Sequence, residues 1–396
     1  MTQELHPLVK KYVEWSPGSA EMMERGKAVF PGGDTRASAH FGPYPLVMDR
    51  GHDCHLYDID GHELLDMMNN FTSMIHGHAH PDIVAAISKQ VPLGVAFAAP
   101  SKTQIELAEL IVSRVPSIEQ MRFCSSGTEG TLMALRCARA VTGRQKIMKM
   151  EGGYHGSYEL AEVSLVPLPD QRGSLHHPKS LPVDKSFPES VLADTVICPY
   201  NEPELARALI NEHAGDLAAV IVEPMLGSMG MIPATSEFLQ VLREETSKND
   251  IVLIFDEVIT LRQSSGGEQQ RHGITPDLTC MGKIIGGGLP VGGIGGRKDL
   301  MDVFNPEAKD TVMHASTFSG NALTMAAGMA ALSNFGEDES VRLNKLGDRL
   351  RSGFNQTLSQ HGIKGQAVGR GSLSNIIFSN EEIKDKLKNY KNLKMK

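Results

Sequence analysis

The chain has 396 residues, 41% of them hydrophobic and 22% charged, with a formal net charge of −8. A chain of this size and make-up buries a large core without help from disulfides or metals. It carries no basic stripe of the kind that tracks a nucleic-acid backbone, and no run approaches the ~18 apolar residues of a membrane span. The N-terminus is polar and acidic with no apolar stretch behind it, which argues against a signal peptide. Five irregularly spaced cysteines, none in a CxxC pair, read as reduced thiols of a cytoplasmic protein.

In chain order, Ser19 to Val29 is a helical stretch, and Pro31-Gly32-Gly33-Asp34 breaks it. Tyr44 to Leu65 reads as short strands, with Asp60-Gly61 closing a hairpin. From Pro81 the style changes. Ile83 to Lys89 and Thr103 to Ser113 are expected helices, and Thr128 to Val141 is an amphipathic helix ending at Gly143. Lys146 to Met150, Thr195 to Cys198, Ala218 to Val222 and Ile251 to Phe255 are apolar runs suited to strands buried on both faces of a parallel sheet. Alternation of strands and helices points to an α/β domain. Beyond Met301 come two long helices, Ala322 to Phe335 and Glu339 to Leu358, expected in a second, smaller domain built from both chain ends. The lysine-rich stretch 384–396 reads as a solvated helix.

The chemistry collects after the expected strands. Glu223-Pro224 follows one, Asp256-Glu257-Val258 a second, and Gly152-Gly153-Tyr154-His155-Gly156 a third. Ligands bind outside the carboxyl ends of strands in such sheets. Ser125-Ser126-Gly127-Thr128-Glu129 opens the amphipathic helix, where free N–H groups and the helix dipole suit a phosphate; a plain N-cap is the competing reading. Lys283 sits in an apolar, glycine-rich run, Cys280 to Gly288, which would desolvate its amine and free it as a nucleophile. Its alternative is a lysine whose stem lies on apolar surface and whose head reaches water. No GxxxxGK[ST] occurs, and Gly292 to Gly296 follows no strand–helix unit that fits a dinucleotide site. An amine, a carboxylate for a ring nitrogen, a phosphate-holding helix start and an aromatic residue are the parts of a pyridoxal-phosphate site.

With those motifs in that order, the chain resembles the class III, fold type I pyridoxal-phosphate aminotransferases from about Ser19 to about Phe378. Within them it is similar to the branch of glutamate-1-semialdehyde aminomutase and the β-amino-acid aminotransferases. The resemblance implies a mostly parallel central sheet in a large domain, 66–300, and a smaller α+β domain from 1–65 and 301–396. It implies Lys283 as the Schiff-base lysine and proton carrier, and Asp256 as partner of the pyridinium nitrogen. Val258 and Tyr154 would take the two ring faces, and Ser126, Gly127 and Thr128 the phosphate. Glu223 would lie near the ring, with a turn role as its alternative. Thr317 would reach the phosphate of the neighbouring subunit in a homodimer. His76-Gly77-His78-Ala79-His80 resembles a family loop that holds no metal, and His176-His177 reads as a loop feature.

Arg36, after Pro31-Gly32-Gly33-Asp34-Thr35, matches an arginine that grips the substrate carboxylate in the β-amino-acid branch; a surface ion pair is the competing reading. Phe71-Thr72 and Phe41 to Leu46 also resemble that branch. The expected reaction is ping-pong transamination between an amino acid, with β-amino acids in view, and a 2-oxo acid. Intramolecular transfer by an aminomutase is the alternative. A third reading, from another class, is an inactive cofactor-binding relative, because the family's C-terminus runs some tens of residues further and this one ends in a lysine-rich tail.

Overall fold

The structure is a computed structural model that describes residues 6–168 and 170–379. The helix expected over 384–396 lies outside the described residues. By contacts the chain divides into two compact units, Met1–Val84 and Ala85–Lys396.

In the first unit, helix Pro7–Trp15 gives way to helix Pro17–Lys27 at Ser16. Proline suits the first turn of the second helix because its missing N–H would be unpaired there. Strands β1 (Met48–His52), β2 (His55–Asp58) and β3 (Glu63–Leu65) form an antiparallel meander. The Asp60-Gly61 turn joins β2 to β3, with Gly61 at a φ of 89°. Asp60 also accepts the Gly18 and Ser19 N–H groups at 2.6 and 2.9 Å, so one carboxylate caps the second helix and pins it to the meander.

In the second unit the apolar runs become a seven-stranded sheet. Its strands are β4 (Gln120–Cys124), β5 (Lys146–Met150), β6 (Thr195–Cys198), β7 (Leu217–Val222), β10 (Val252–Asp256), β11 (Leu278–Gly282) and β12 (Gly292–Gly296). A two-residue ladder, β8 (Met225–Leu226) with β9 (Ile232–Pro233), and a hairpin, β13 (Gln366–Arg370) with β14 (Leu373–Ile377), lie apart from it. The sheet order is β4-β12-β11-β10-β7-β5-β6, and only β12 runs antiparallel to its neighbours. β7 and β10 are buried along their whole length. Side chains alternate between faces: Val220, Val222, Leu253 and Phe255 enter one core, and Ala219, Ile221, Val252 and Ile254 the other. Each fully buried Val, Leu, Ile or Phe contributes about 1.5–3 kcal/mol, so the middle of the sheet is its most strongly held part.

The strand Gly292–Gly296 was not expected from its composition, since glycine weakens strands. Close approach explains it. A Cβ on Gly292 would lie 1.8 Å from the Ser126 carbonyl oxygen, and one on Gly130 would lie 2.9 Å from that of Gly293. Bare backbone on β12 lets helix Gly127–Thr142 start directly on the sheet. That helix is capped by Ser126, whose Oγ accepts the Glu129 N–H at 3.1 Å, and ends at left-handed Gly143.

Substituting Gly292→Ala must therefore push the helix start off the strand. We expect it to lose about 1–3 kcal/mol in urea unfolding, while Gly215→Ala, with no atom within 4 Å of its added carbon, stays within about 0.5 kcal/mol of the parent. Equal midpoints for the two variants would contradict the close-approach argument.

Candidate active site

β4, β5, β7, β10 and β11 all point the same way, so their carboxyl ends share one edge of the sheet. Asp256 closes β10 and is 4% exposed. Its Oδ2 lies 2.8 Å from His155 Nδ1, and its Oδ1 accepts the Val258 N–H at 3.1 Å. Burial holds the His155 pKa below its ordinary value, against the pull of Asp256. The ring is then neutral and donates Nδ1–H to the carboxylate. Its Nε2 is left as a buried acceptor with no hydrogen-bond partner among the described residues. Within the same residues Asp256 meets no lysine or arginine in an ion pair, and His155 bonds it as a hydrogen-bond donor.

Glu223 directly follows β7. It accepts the Tyr154 N–H at 2.9 Å and the Gly227 N–H at 3.2 Å, tying the loop after β5 to the end of β7. Burial, with the charge of Asp256 added, pushes its pKa up to about 8. Tyr154 is held by its backbone, and the residue stays 41% exposed. Lys283 is the first residue after β11, at a left-handed φ of 50°. Strained backbone of this sort persists where its surroundings over-determine it, commonly at active sites. Burial draws its amine pKa down, while Asp256 and Glu223 oppose the shift.

Ser126, Gly127 and Thr128 form the first turn of their helix, whose N–H groups have no intrahelical partners. Gly156 packs against Thr128; a Cβ there would sit 2.7 Å from the Thr128 Cα. Val258 lies beside Gly127 and Gly282, each of whose added Cβ would touch it, at 3.0 and 3.3 Å. Glu129 accepts the Ser125 N–H at 2.7 Å and pairs with His314 Nε2 at 2.9 Å. Cys124, Glu129 and His314 present ligand-type atoms within 4.8 Å of one another. Burial pushes the Cys124 thiol up to about 12, so the trio is a Glu129–His314 hydrogen bond beside an inert thiol.

The residue pattern that describes class III aminotransferases matches 37–393 of this sequence. A glutamate-1-semialdehyde 2,1-aminomutase of Methanopyrus kandleri is 39% identical over 94% of this chain and 85% of its own. An omega-transaminase from Sphaerobacter thermophilus superposes with a TM-score of 0.91 at 45% identity, over 96% of this chain and 86% of that one. A beta-phenylalanine aminotransferase from Variovorax paradoxus does so with a TM-score of 0.87 at 34% identity, over 98% and 84%.

The chain belongs to the class III aminotransferases.

It is thus a pyridoxal-phosphate enzyme of fold type I, and the site fits that cofactor on its own terms. A buried carboxylate lacking a lysine or arginine partner suits a protonated ring nitrogen. A half-buried amine with a lowered pKa suits an aldehyde, and a glycine-lined helix start suits a phosphate. Lys283, Asp256, Glu223, Tyr154, Val258 and Ser126 to Thr128 all gather at or beside these strand ends. Arg36 lies in the other unit, exposed, with its Nη1 donating to Asn70 Oδ1 at 3.1 Å and its guanidinium 5.9 Å from the Phe71 ring centroid. The expected competitor, a surface ion pair, is absent: no carboxylate of the described residues lies within 4.0 Å of it. Thr317 is exposed in a turn, next to Ser316, whose Oγ lies 3.2 Å from Ser125 Oγ. In the first unit His78 bonds Asp66 at 2.8 Å.

Two residues escaped the sequence reading. His155 stood inside the quoted Gly-Tyr-His-Gly motif without a role. Lys149 read as one more strand residue, yet it is fully buried and donates to the Val163 carbonyl at 2.7 Å. Burial draws its pKa down to about 7, against about 10.4 in an unfolded chain. Between those values the unfolded state binds more protons, so this group's penalty on stability is full below pH 7 and fades as pH rises towards 10. Lys149→Met should raise the melting temperature at pH 7 and lose that advantage near pH 10. A variant equally destabilised at both would show that the Val163 hydrogen bond outweighs the buried charge.

Proposed function

We propose that this chain is a cytoplasmic homodimer that transfers the amino group of an amino acid, with Lys283 as its nucleophile and proton carrier. The observation that carries the reading is the buried Asp256–His155 pair at the same sheet edge as a desolvated lysine. When bound, pyridoxal phosphate supplies an aldehyde carbon for the amino group and a ring that takes up electrons. Asp256 holds the ring nitrogen's proton by its negative charge, and His155 orients that carboxylate through Nδ1–H. Lys283 Nζ, its pKa drawn down by burial, would hold the cofactor's aldehyde carbon and would carry a proton as general base and acid. Val258 and Tyr154 bound the ring's two faces, and Glu223 fixes Tyr154 through its backbone. Ser126, Gly127 and Thr128 receive the phosphate, with Thr317 of one protomer reaching that of its partner. Arg36 receives the substrate carboxylate. The grouping of 1–65 with 301–396 in one smaller domain belongs to the same proposal.

Two modes of transfer share this apparatus. Eight relatives at 37–41% identity are glutamate-1-semialdehyde aminomutases, which supports intramolecular transfer ahead of the transamination expected from Arg36. Transamination between an amino acid, β-amino acids included, and a 2-oxo acid is favoured by a specific observation: Arg36 has no carboxylate partner among the described residues, and the omega-transaminase at 45% identity is similar over nearly the whole chain.

Turnover separates them. An aminomutase consumes glutamate-1-semialdehyde with no added 2-oxo acid, whereas a transaminase stops after one amino group per site until an oxo acid is supplied. For either mode, Lys283→Ala should abolish the absorbance band of the loaded protein near the visible edge, and Asp256→Asn should cut turnover by about 100-fold or more. A loaded protein that shows the band and transfers nothing from a panel of α-, β- and ω-amino acids would overturn the enzyme reading.

A further inference from the structure

Four successive residues, Asn69, Asn70, Phe71 and Thr72, have φ of 56, 42, 52 and 73°. None is glycine, and left-handed backbone costs an L-residue about 1–2 kcal/mol. Such a run persists only if its surroundings fix it. Here they do. Asp66 Oδ1 accepts the Met68 and Asn69 N–H groups at 3.0 and 2.7 Å, while its Oδ2 bonds His78. On the far side Asn69 Nδ2 donates to the Met74 carbonyl at 2.6 Å. Ser73 Oγ donates to the Asn70 carbonyl at 2.9 Å and receives Asn70 Nδ2 at 3.1 Å.

The side chains this turn presents meet Arg36. A guanidinium can only donate, so Asn70 must turn Oδ1 towards it and Nδ2 towards Ser73. Both ends of the amide are thereby assigned, and its orientation is set by the turn. Phe71 offers its ring within the ~6 Å at which a cation is attracted to a π face. Both contacts orient the guanidinium, and neither neutralises it.

We propose that Asn70 is a specificity-determining positioning residue, held on a left-handed turn so that its neutral amide presets Arg36 to receive a substrate carboxylate. This rests on the reading of Arg36 as the carboxylate-binding residue. A neutral partner is the point of the device. An aspartate at the same place would pair with Arg36 and compete with the substrate, whereas an amide aligns the fork and leaves its charge available.

Two substitutions test this with the left-handed backbone kept, because Asp and Gly both tolerate it and the Ser73 Oγ bond to the residue 70 carbonyl remains. The holoenzyme carries Asn70→Asp or Asn70→Gly. The first readout is modification of Arg36 by phenylglyoxal, followed by peptide mass spectrometry, with and without 3-phenylpropanoate as a carboxylate probe. We expect the probe to protect Arg36 in the parent. In Asn70→Asp, modification should be slow without the probe and no slower with it. In Asn70→Gly, protection should need about tenfold more probe. The second readout is kinetic. For 3-amino-3-phenylpropanoate, Asn70→Asp should raise KM about tenfold with kcat little changed, and leave 1-phenylethylamine, the same amine without its carboxylate, unaffected. Equal protection in all three proteins, or none in the parent, overturns the proposal. Failure of the parent to transfer any amino group while the protection pattern holds would instead overturn the functional reading and leave the Asn70 device standing.

Discussion

A buried negative charge organises this site. Asp256 ends a strand that is buried along its length, and an isolated carboxylate there would be expensive. The fold answers with two donors, His155 Nδ1–H and the Val258 N–H, and with no lysine or arginine of the described residues in contact. Its neighbours adjust to it. Burial and the neighbouring Asp256 together push the Glu223 pKa up. Burial also keeps His155 neutral, which prevents the pair from cancelling internally. The same charge works against desolvation at Lys283, so the amine is made more nucleophilic without being stripped of its ability to carry a proton.

The position of that charge depends on the backbone around it. The parallel strands deliver Asp256, Glu223, Lys283 and the Tyr154-His155 loop to one edge, but the turn proposed for the phosphate belongs to a helix, and a helix packed on side chains would stand further off. The glycines of β12 remove that spacing, and Gly127 and Gly282 let Val258 lie between the helix start and the lysine's strand. Composition that weakens a strand is used here for contact. The cost falls on β12, which is held on one side by β4 and on the other by β11, where neighbouring ladders can carry it.

Much of this was legible in the sequence, for identifiable reasons. β5, β6, β7 and β10 were readable because strands buried on both faces are apolar without interruption, and Gly143 marked its helix end because a left-handed cap wants glycine. β4, β11 and β12 were not, because Met121-Arg122-Phe123 and Thr279-Cys280-Met281 mix polarity and β12 is almost all glycine. Within the site, Asp256 and Lys283 stood out by position, while His155 took its role only once a distance to Asp256 existed. Lys149 was invisible for another reason. A lysine in a strand is ordinarily an exposed one, and nothing local says that its head group ends on a buried carbonyl. The left-handed run at Asn69 to Thr72 is equally silent, since it is imposed by Asp66, Asn69 and Ser73 through hydrogen bonds rather than by glycine.

Chemistry and selection also separate along the chain. Every group that would act on the cofactor lies in the unit Ala85–Lys396, and its geometry serves intramolecular and intermolecular transfer alike. Recognition of an anionic substrate calls for a cation that internal carboxylates have not claimed. Arg351 and Arg370 in the same unit do not qualify: one is fixed by Asp348 and the Gly371 and Leu373 carbonyls, the other by Glu268 and the Ala234 carbonyl. Arg36, in the unit Met1–Val84, has an amide and a ring for neighbours instead. On the proposal that Arg36 takes the substrate carboxylate, one set of strand ends can serve amino transfer while a short turn alters selection, because the partner of one arginine decides whether that arginine is available.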